Sequence, residues 1–179
     1  MKTTQILIAG FGGQGILFSG KFLAYKGLVE DIQVSWLPSY GPEMRGGTAN
    51  CNVILSDTPV GSPIVTVPDV LIAMNLPSLQ KYVDTVAAGG QIYIDSSLID
   101  AKVERDDVEV FYIPATQMAK DSGIATLANM IIVGHLLENH PELSFVGVEE
   151  VVDKLVPPKK AALKELNMKA LSLGKNYNK

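Results

Sequence analysis

Gln5-Ile6-Leu7-Ile8-Ala9 runs directly into Gly10-Phe11-Gly12-Gly13-Gln14-Gly15, and the segment Ile16 to Leu28 that follows reads as a helix. An apolar strand, a glycine turn and a helix start form the arrangement in which backbone N–H groups at a helix N-terminus can meet a phosphate. Four glycines in six positions imply a backbone that must turn left-handed or let a ligand approach closely, because a Cβ would block both.

Outward from this unit, Ile32 to Leu37 predicts a second strand, stopped by Pro38. The next segment, Ser39-Tyr40-Gly41-Pro42-Glu43-Met44-Arg45-Gly46-Gly47-Thr48, combines turn formers with an aromatic, a carboxylate and an arginine. Asn50 to Leu55 alternates as a third strand, with Cys51, Val53 and Leu55 on one face. The continuous apolar run Val70-Leu71-Ile72-Ala73-Met74 reads as a strand covered on both faces. Asn75 follows it, Pro77 suits the first turn of a helix through Val86, and Gly89-Gly90 ends that helix. Gln91–Asp95 and Val108–Ile113 supply two further strands. A short helix begins after Pro114 and stops at Gly123. An apolar helix over Leu127–Glu138 is interrupted by Asn129, another helix covers Val148–Leu155, and a basic amphipathic helix follows Pro157-Pro158.

Strands alternating with helices predict an α/β fold, a single three-layer Rossmann-like domain over residues 1–179, with a mostly parallel sheet and helices on both faces. In such sheets ligands gather at the C-terminal ends of the strands. The glycine turn, the Ser39–Thr48 loop and Asn75 all fall at strand ends.

Gly10-x-Gly12-x-x-Gly15 has the spacing of a dinucleotide fingerprint, but that reading also needs an acidic residue at the end of the second strand to hold a ribose. Here that end reads Trp36-Leu37-Pro38-Ser39, and Glu30 and Asp31 precede the strand. A phosphate-bearing ligand other than NAD fits better, with a tight turn that binds nothing as the plain alternative. Arg45-Gly46-Gly47-Thr48 would add a charged fork and exposed N–H groups suited to phosphate or carboxylate. Equally, Arg45 could pair with Glu43 or with a carboxylate of another subunit.

Composition narrows the function classes. Fifteen basic and nineteen acidic residues leave a net charge of -4, without a basic block, which argues against nucleic acid. No apolar run reaches the roughly 18 to 20 residues of a membrane span, and Met1-Lys2-Thr3-Thr4 does not read as a signal peptide. The expectation is a cytoplasmic protein. With one cysteine, Cys51, the chain cannot build an internal disulfide or an all-cysteine cluster site. The two histidines lack metal-ligand spacing, and His135 reads as a packed helix residue. Asp95-Ser96-Ser97 lacks the glycine-flanked serine of a hydrolase elbow. No catalytic residue and no metal ligand is assigned.

Together, Gly10–Gly15, Ser39–Thr48, the stretch Pro68-Asp69-Val70-Leu71-Ile72-Ala73-Met74-Asn75 and Asn129-Met130 resemble the gamma subunit of 2-oxoacid:ferredoxin oxidoreductases over nearly the whole chain. The second motif carries most of the specificity. The resemblance implies a complex that decarboxylates a 2-oxoacid on thiamine diphosphate, passes electrons through [4Fe-4S] clusters to ferredoxin and transfers the acyl group to coenzyme A. It places the thiamine site in alpha and beta subunits and the clusters in a small ferredoxin-like iron–sulfur subunit. For this chain it implies contact with coenzyme A through Gly12, Gly13, Gln14, Gly15, Arg45, Gly46, Gly47 and Thr48, with Asn129 as a further polar contact. The wording of the GPEMRGG loop is closer to the 2-oxoglutarate and branched-chain types than to the pyruvate type. A purely structural assembly subunit and a stand-alone nucleotide-binding protein are the alternatives, and self-association of the isolated chain stays open.

Overall fold

The computed structural model describes residues 3–39 and 48–178. Six strands, β1 (Thr4–Phe11), β2 (Gln33–Ser39), β3 (Thr48–Ser56), β4 (Val70–Ala73), β5 (Gln91–Asp95) and β6 (Glu109–Ile113), form one sheet among the described residues, in the order β2-β3-β1-β4-β5-β6. β1, β4, β5 and β6 pair in parallel, whereas β3 runs antiparallel to both β1 and β2. The sheet is therefore mostly parallel, with one reversed strand inserted beside β1.

Helices cover both faces. On one side lie α1 (Ile16–Val29), α3 (Ala115–Asp121), α4 (Ala128–Asn139), α5 (Val148–Leu155) and α6 (Ala161–Lys175), over Ile6, Ile8, Cys51, Val53, Val70, Ile72 and Tyr93. On the other, α2 (Leu76–Tyr82) and the segment around Ile99 cover Leu7, Leu71, Ile92 and Ile94. Alternate residues of β1 thus feed different cores, as a strand buried on both faces requires. β4 is short and wholly buried, in keeping with its unbroken apolar run.

Two boundary differences from the sequence reading have a local physical cause. β2 continues through Pro38 to Ser39 rather than stopping at Pro38, and Pro38 faces Cys51 of β3. β2 is an edge strand, so a missing N–H can fall on its unpaired side at no cost to the ladder. α2 ends at Tyr82 and gives way to a 3₁₀ turn over Val83–Thr85, short of Val86. There the Thr85 hydroxyl donates to the Tyr82 carbonyl at 2.7 Å, capturing an acceptor at the helix end.

α4 and α6 approach at backbone distance through two glycines. A Cβ on Gly134 would collide with the Leu171 carbonyl, and one on Gly174 with the Ile131 carbonyl. His135 is buried between these helices and donates Nδ1–H to the Gly174 carbonyl at 3.1 Å. It is a packed residue, as its apolar neighbourhood in sequence implied.

Candidate phosphate-facing site

Register places the glycine turn and the strand ends that flank residues 40–47 at one edge of the sheet. Gly10 and Phe11 pair with Ala49 and Thr48, Ser39 pairs with Asn50, and Met74 at the end of β4 donates its N–H to Ala9 O at 2.9 Å. The glycine turn, the start of β3, the end of β2 and Asn75 therefore share the C-terminal edge of the parallel strands. Glu30 and Asp31 lie at the start of β2, on the opposite edge.

Gln14 holds the turn in place. Its Oε1 accepts from Phe11 N at 2.6 Å, its Nε2 donates to Met74 O at 2.9 Å, and its own N–H donates to Phe11 O at 3.2 Å. This clip ties the turn to the neighbouring strand and explains Gly10, where a Cβ would sit 2.7 Å from Gln14 Oε1. Gly13 and Gly15 adopt φ of +90° and +78°, the left-handed region that favours glycine. Their surroundings differ. A Cβ on Gly13 would meet nothing within 4 Å, whereas one on Gly15 would lie 2.5–2.9 Å from the Asn129 side chain.

Asn129 is 3% exposed. Its Nδ2 donates to Gly15 O at 3.1 Å and to Ser19 Oγ at 2.9 Å, so the interruption in the apolar helix is a fastening between α4 and the start of α1. Its Oδ1 has no partner.

α1 starts from Gly15 with no side-chain cap and no acidic residue in its first turn. The first N–H groups of a helix have no intrahelical acceptors, and the positive end of the helix dipole lies there. A depression of about 270 Å³, lined by Phe11, Gly12, Gly13, Ile16, Phe18 and Ala49 among others, opens over this terminus. Such a surface suits an anion. By contrast, a 460 Å³ depression at the other edge of the sheet is lined by Asp69, Glu109 and Glu142, an acidic setting that opposes phosphate.

Other chemistry-bearing residues are committed to structure. Cys51 is fully buried, and burial pushes its thiol up to about 12, out of nucleophile range. Buried Asp95 accepts from Ser97 N, Thr116 N and Thr116 Oγ1, bridging the end of β5 to the start of α3. Asn75 caps α2 by accepting from Ser78 N at 2.8 Å. Among the described residues, no group of three or more His, Cys, Asp or Glu side chains could hold a metal ion.

Arg45, Gly46 and Gly47 lie outside the described residues. Thr48 enters through its backbone pairing with Phe11. Sequence reasoning missed Lys160 and Asn167, which line a cavity of about 340 Å³ with Gly15 and Asn129. Neither belongs to a motif, so only the packing of α6 against α4 brings them to the turn.

The chain is 40% identical over 161 residues to ketoisovalerate oxidoreductase subunit VorA of Methanothermobacter thermautotrophicus, covering 83% of this chain but only 33% of the relative. It matches the keto/oxoacid ferredoxin oxidoreductase gamma subunit from Geobacter sulfurreducens at TM-score 0.80 and 30% identity, covering 96% of this chain and 95% of that one. It also matches part of 2-oxoglutarate:ferredoxin oxidoreductase from Magnetococcus marinus, a structure with 2-oxoglutarate, coenzyme A and succinyl-CoA bound, at TM-score 0.84 and 27% identity. That match covers 98% of this chain and 31% of the other. The family model of pyruvate ferredoxin/flavodoxin oxidoreductase matches residues 5–177; the chain belongs to that family and has the fold of its gamma subunits.

Proposed function

We propose that this chain is the gamma subunit of a thiamine diphosphate-dependent 2-oxoacid:ferredoxin oxidoreductase, and that it contributes to coenzyme A binding and to assembly rather than to redox chemistry. Its partners are thiamine-binding alpha and beta subunits and a small ferredoxin-like subunit carrying [4Fe-4S] clusters, with ferredoxin as the acceptor, in the cytoplasm. No helix among the described residues is long and apolar enough to cross a membrane. The substrate is 2-oxoglutarate or a branched-chain 2-oxoacid, in line with the relatives named above.

The observation that carries the reading is the uncapped start of α1 beneath Gly13, whose φ of +90° and empty surroundings leave room where a side chain would project. The residues fit the phosphates of coenzyme A, and the bound coenzyme supplies the thiol that accepts the acyl group. Gly12 and Gly13 offer close backbone approach, and Gly15 is a further candidate whose Cβ position is taken up by Asn129. Gln14 braces the turn against Met74, and Asn129 fixes Gly15. Arg45, Gly46, Gly47 and Thr48 are the further candidate contacts, on the chemistry of their sequence.

In the assembled complex, Gly13→Val and Arg45→Ala should each raise the apparent KM for coenzyme A. An unchanged KM in both variants removes the ligand role. The isolated chain should show no 2-oxoacid-dependent dye reduction, and turnover by it alone would overturn the division of labour.

One observation favours an additional assembly role. Phe11, Leu76 and Leu98 are exposed at 41%, 38% and 48%, and they lie at or just beyond the ends of three adjacent strands. Such an apolar row suits burial by another subunit. Leu76→Ser with Leu98→Ser should weaken capture of the partner subunits; full capture at parental affinity refutes it.

A further inference from the structure

β6 ends the sheet on the side away from β2, and its outer rim pairs with no strand among the described residues. Its ladder to β5 uses alternate residues. Glu109 N–H donates to Gly90 O and Ser96 N–H to Ile113 O, both at 2.9 Å, so Glu109, Phe111 and Ile113 turn their backbone groups towards β5. Val110 and Tyr112 therefore turn theirs outward. The Tyr177 hydroxyl reaches that row at one point, donating to Tyr112 O at 3.4 Å. Free strand edges are usually blunted by proline, lysine or a bulge. β2 carries Pro38, whereas Val110-Phe111-Tyr112-Ile113 is apolar and aromatic throughout and pairs with β5 in unbroken register.

A depression of about 480 Å³ runs beside this rim. Phe111 and Tyr177 line it from the α4 side of the sheet, and Val110 and Tyr112 from the α2 side. It thus opens along the strand edge itself. The two ends of the rim bear opposite charge. Lys102 lines the depression, its Nζ 4.0 Å from the Tyr112 ring centroid, while Glu109 at the start of β6 shares the acidic depression with Asp69 and Glu142. The Gln91 amide that meets Glu109 at 2.8 Å is neutral. Ser96 also lines the 480 Å³ depression, two residues before Leu98, so the rim adjoins the end of the apolar row formed by Phe11, Leu76 and Leu98.

We propose that the outer rim of β6 receives an extended segment of another subunit of the complex as an added strand. Its main chain pairs with Val110 and Tyr112, taking over Tyr112 O from the Tyr177 hydroxyl. An apolar side chain fills the cleft lined by Phe111 and Tyr177. The segment carries an acidic residue beside Lys102 and a basic one beside Glu109 and Glu142. The inference rests on the assembly reading above and adds a second contact, made by backbone pairing rather than by the apolar row.

The test is residue-resolved amide hydrogen exchange on the full chain, alone and in the assembled complex. Alone, Phe111 and Ile113 should exchange slowly and Val110 and Tyr112 fast. Assembly should slow Val110 and Tyr112 by about a hundredfold or more. Unchanged exchange at both on assembly overturns the proposal. So does protection in the isolated chain that deepens with its concentration, which marks pairing with a second copy. Val110→Pro removes an outward N–H without touching the β5 ladder, so the isolated chain should keep its fold while capture of the partner subunits weakens about tenfold or more. Lys102→Glu should weaken capture about tenfold at low salt and less at high salt. Parental capture by both variants overturns the added strand. A parental chain that joins no partner subunit refutes the gamma-subunit reading, and the added strand with it.

Discussion

Gly15→Ala separates two kinds of glycine requirement within one turn. The residue sits at φ +78°, and its new Cβ would lie 2.5 Å from Asn129 Nδ2, 2.6 Å from Cγ and 2.9 Å from Oδ1. The left-handed conformation alone costs a non-glycine residue about 1–2 kcal/mol. Displacing Asn129 breaks its hydrogen bonds to Gly15 O and Ser19 Oγ and leaves a buried amide unsatisfied, which adds about 1–3 kcal/mol. The expected loss is therefore about 2–5 kcal/mol. Gly13→Ala, at φ +90° with nothing within 4 Å, should lose only the conformational part, about 1–2 kcal/mol. Urea unfolding of the full chain measures both. Repeating Gly15→Ala in an Asn129→Ala background removes the collision, so its cost there should fall to about that of Gly13→Ala. Equal losses for Gly13→Ala and Gly15→Ala in the parent background, or no relief from Asn129→Ala, would refute the fastening of α4 to the turn.

Further perturbations probe the helix packing and the buried titratable groups. Gly174→Ala should cost about 3 kcal/mol by forcing α6 away from Ile131 and His135 of α4, while Gly61→Ala, in open space, should change the urea midpoint little. With its thiol pushed up from 9.0 to about 12 by burial, Cys51 should resist iodoacetamide at pH 8 in the native chain and react once the chain is unfolded. The same shift is stabilising below about pH 9 and its contribution is lost as pH rises from 9 towards 12, because the unfolded thiol ionises first; alkaline titration of the unfolding midpoint should show this slope. Burial lowers His135 below its ordinary 6.5. The unfolded state then binds the proton first, so stability should fall as pH drops below about 6.5. His135→Phe should flatten that part of the pH profile.

Much of the fold was legible because it is written in local patterns. The unbroken apolar run at Val70–Ala73 is what a strand buried on both faces requires, and the alternation from Cys51 to Leu55 names the residues that face α1. The glycine spacing announced a special turn, since positive φ at Gly13 and Gly15 is a property of single residues. The missing acid at the end of β2 was equally readable. Pro38 misled because its cost depends on whether a strand lies at the edge, which local pattern does not state.

The sequence by itself determined the strand-turn-helix unit, the α/β class and the single cysteine that bars an all-cysteine cluster. Only the tertiary structure decided how these parts serve one site. β3 turns back between β2 and β1 and carries Thr48 to Phe11. Gln14 reaches Met74 across 60 residues, and Asn129 reaches Gly15 across 114. An amide's composition and spacing reveal that it needs partners without saying which. Those partners are set by long-range register and by the close approach of α4 and α6, and that packing also brings Asn167 and Lys160 to the turn.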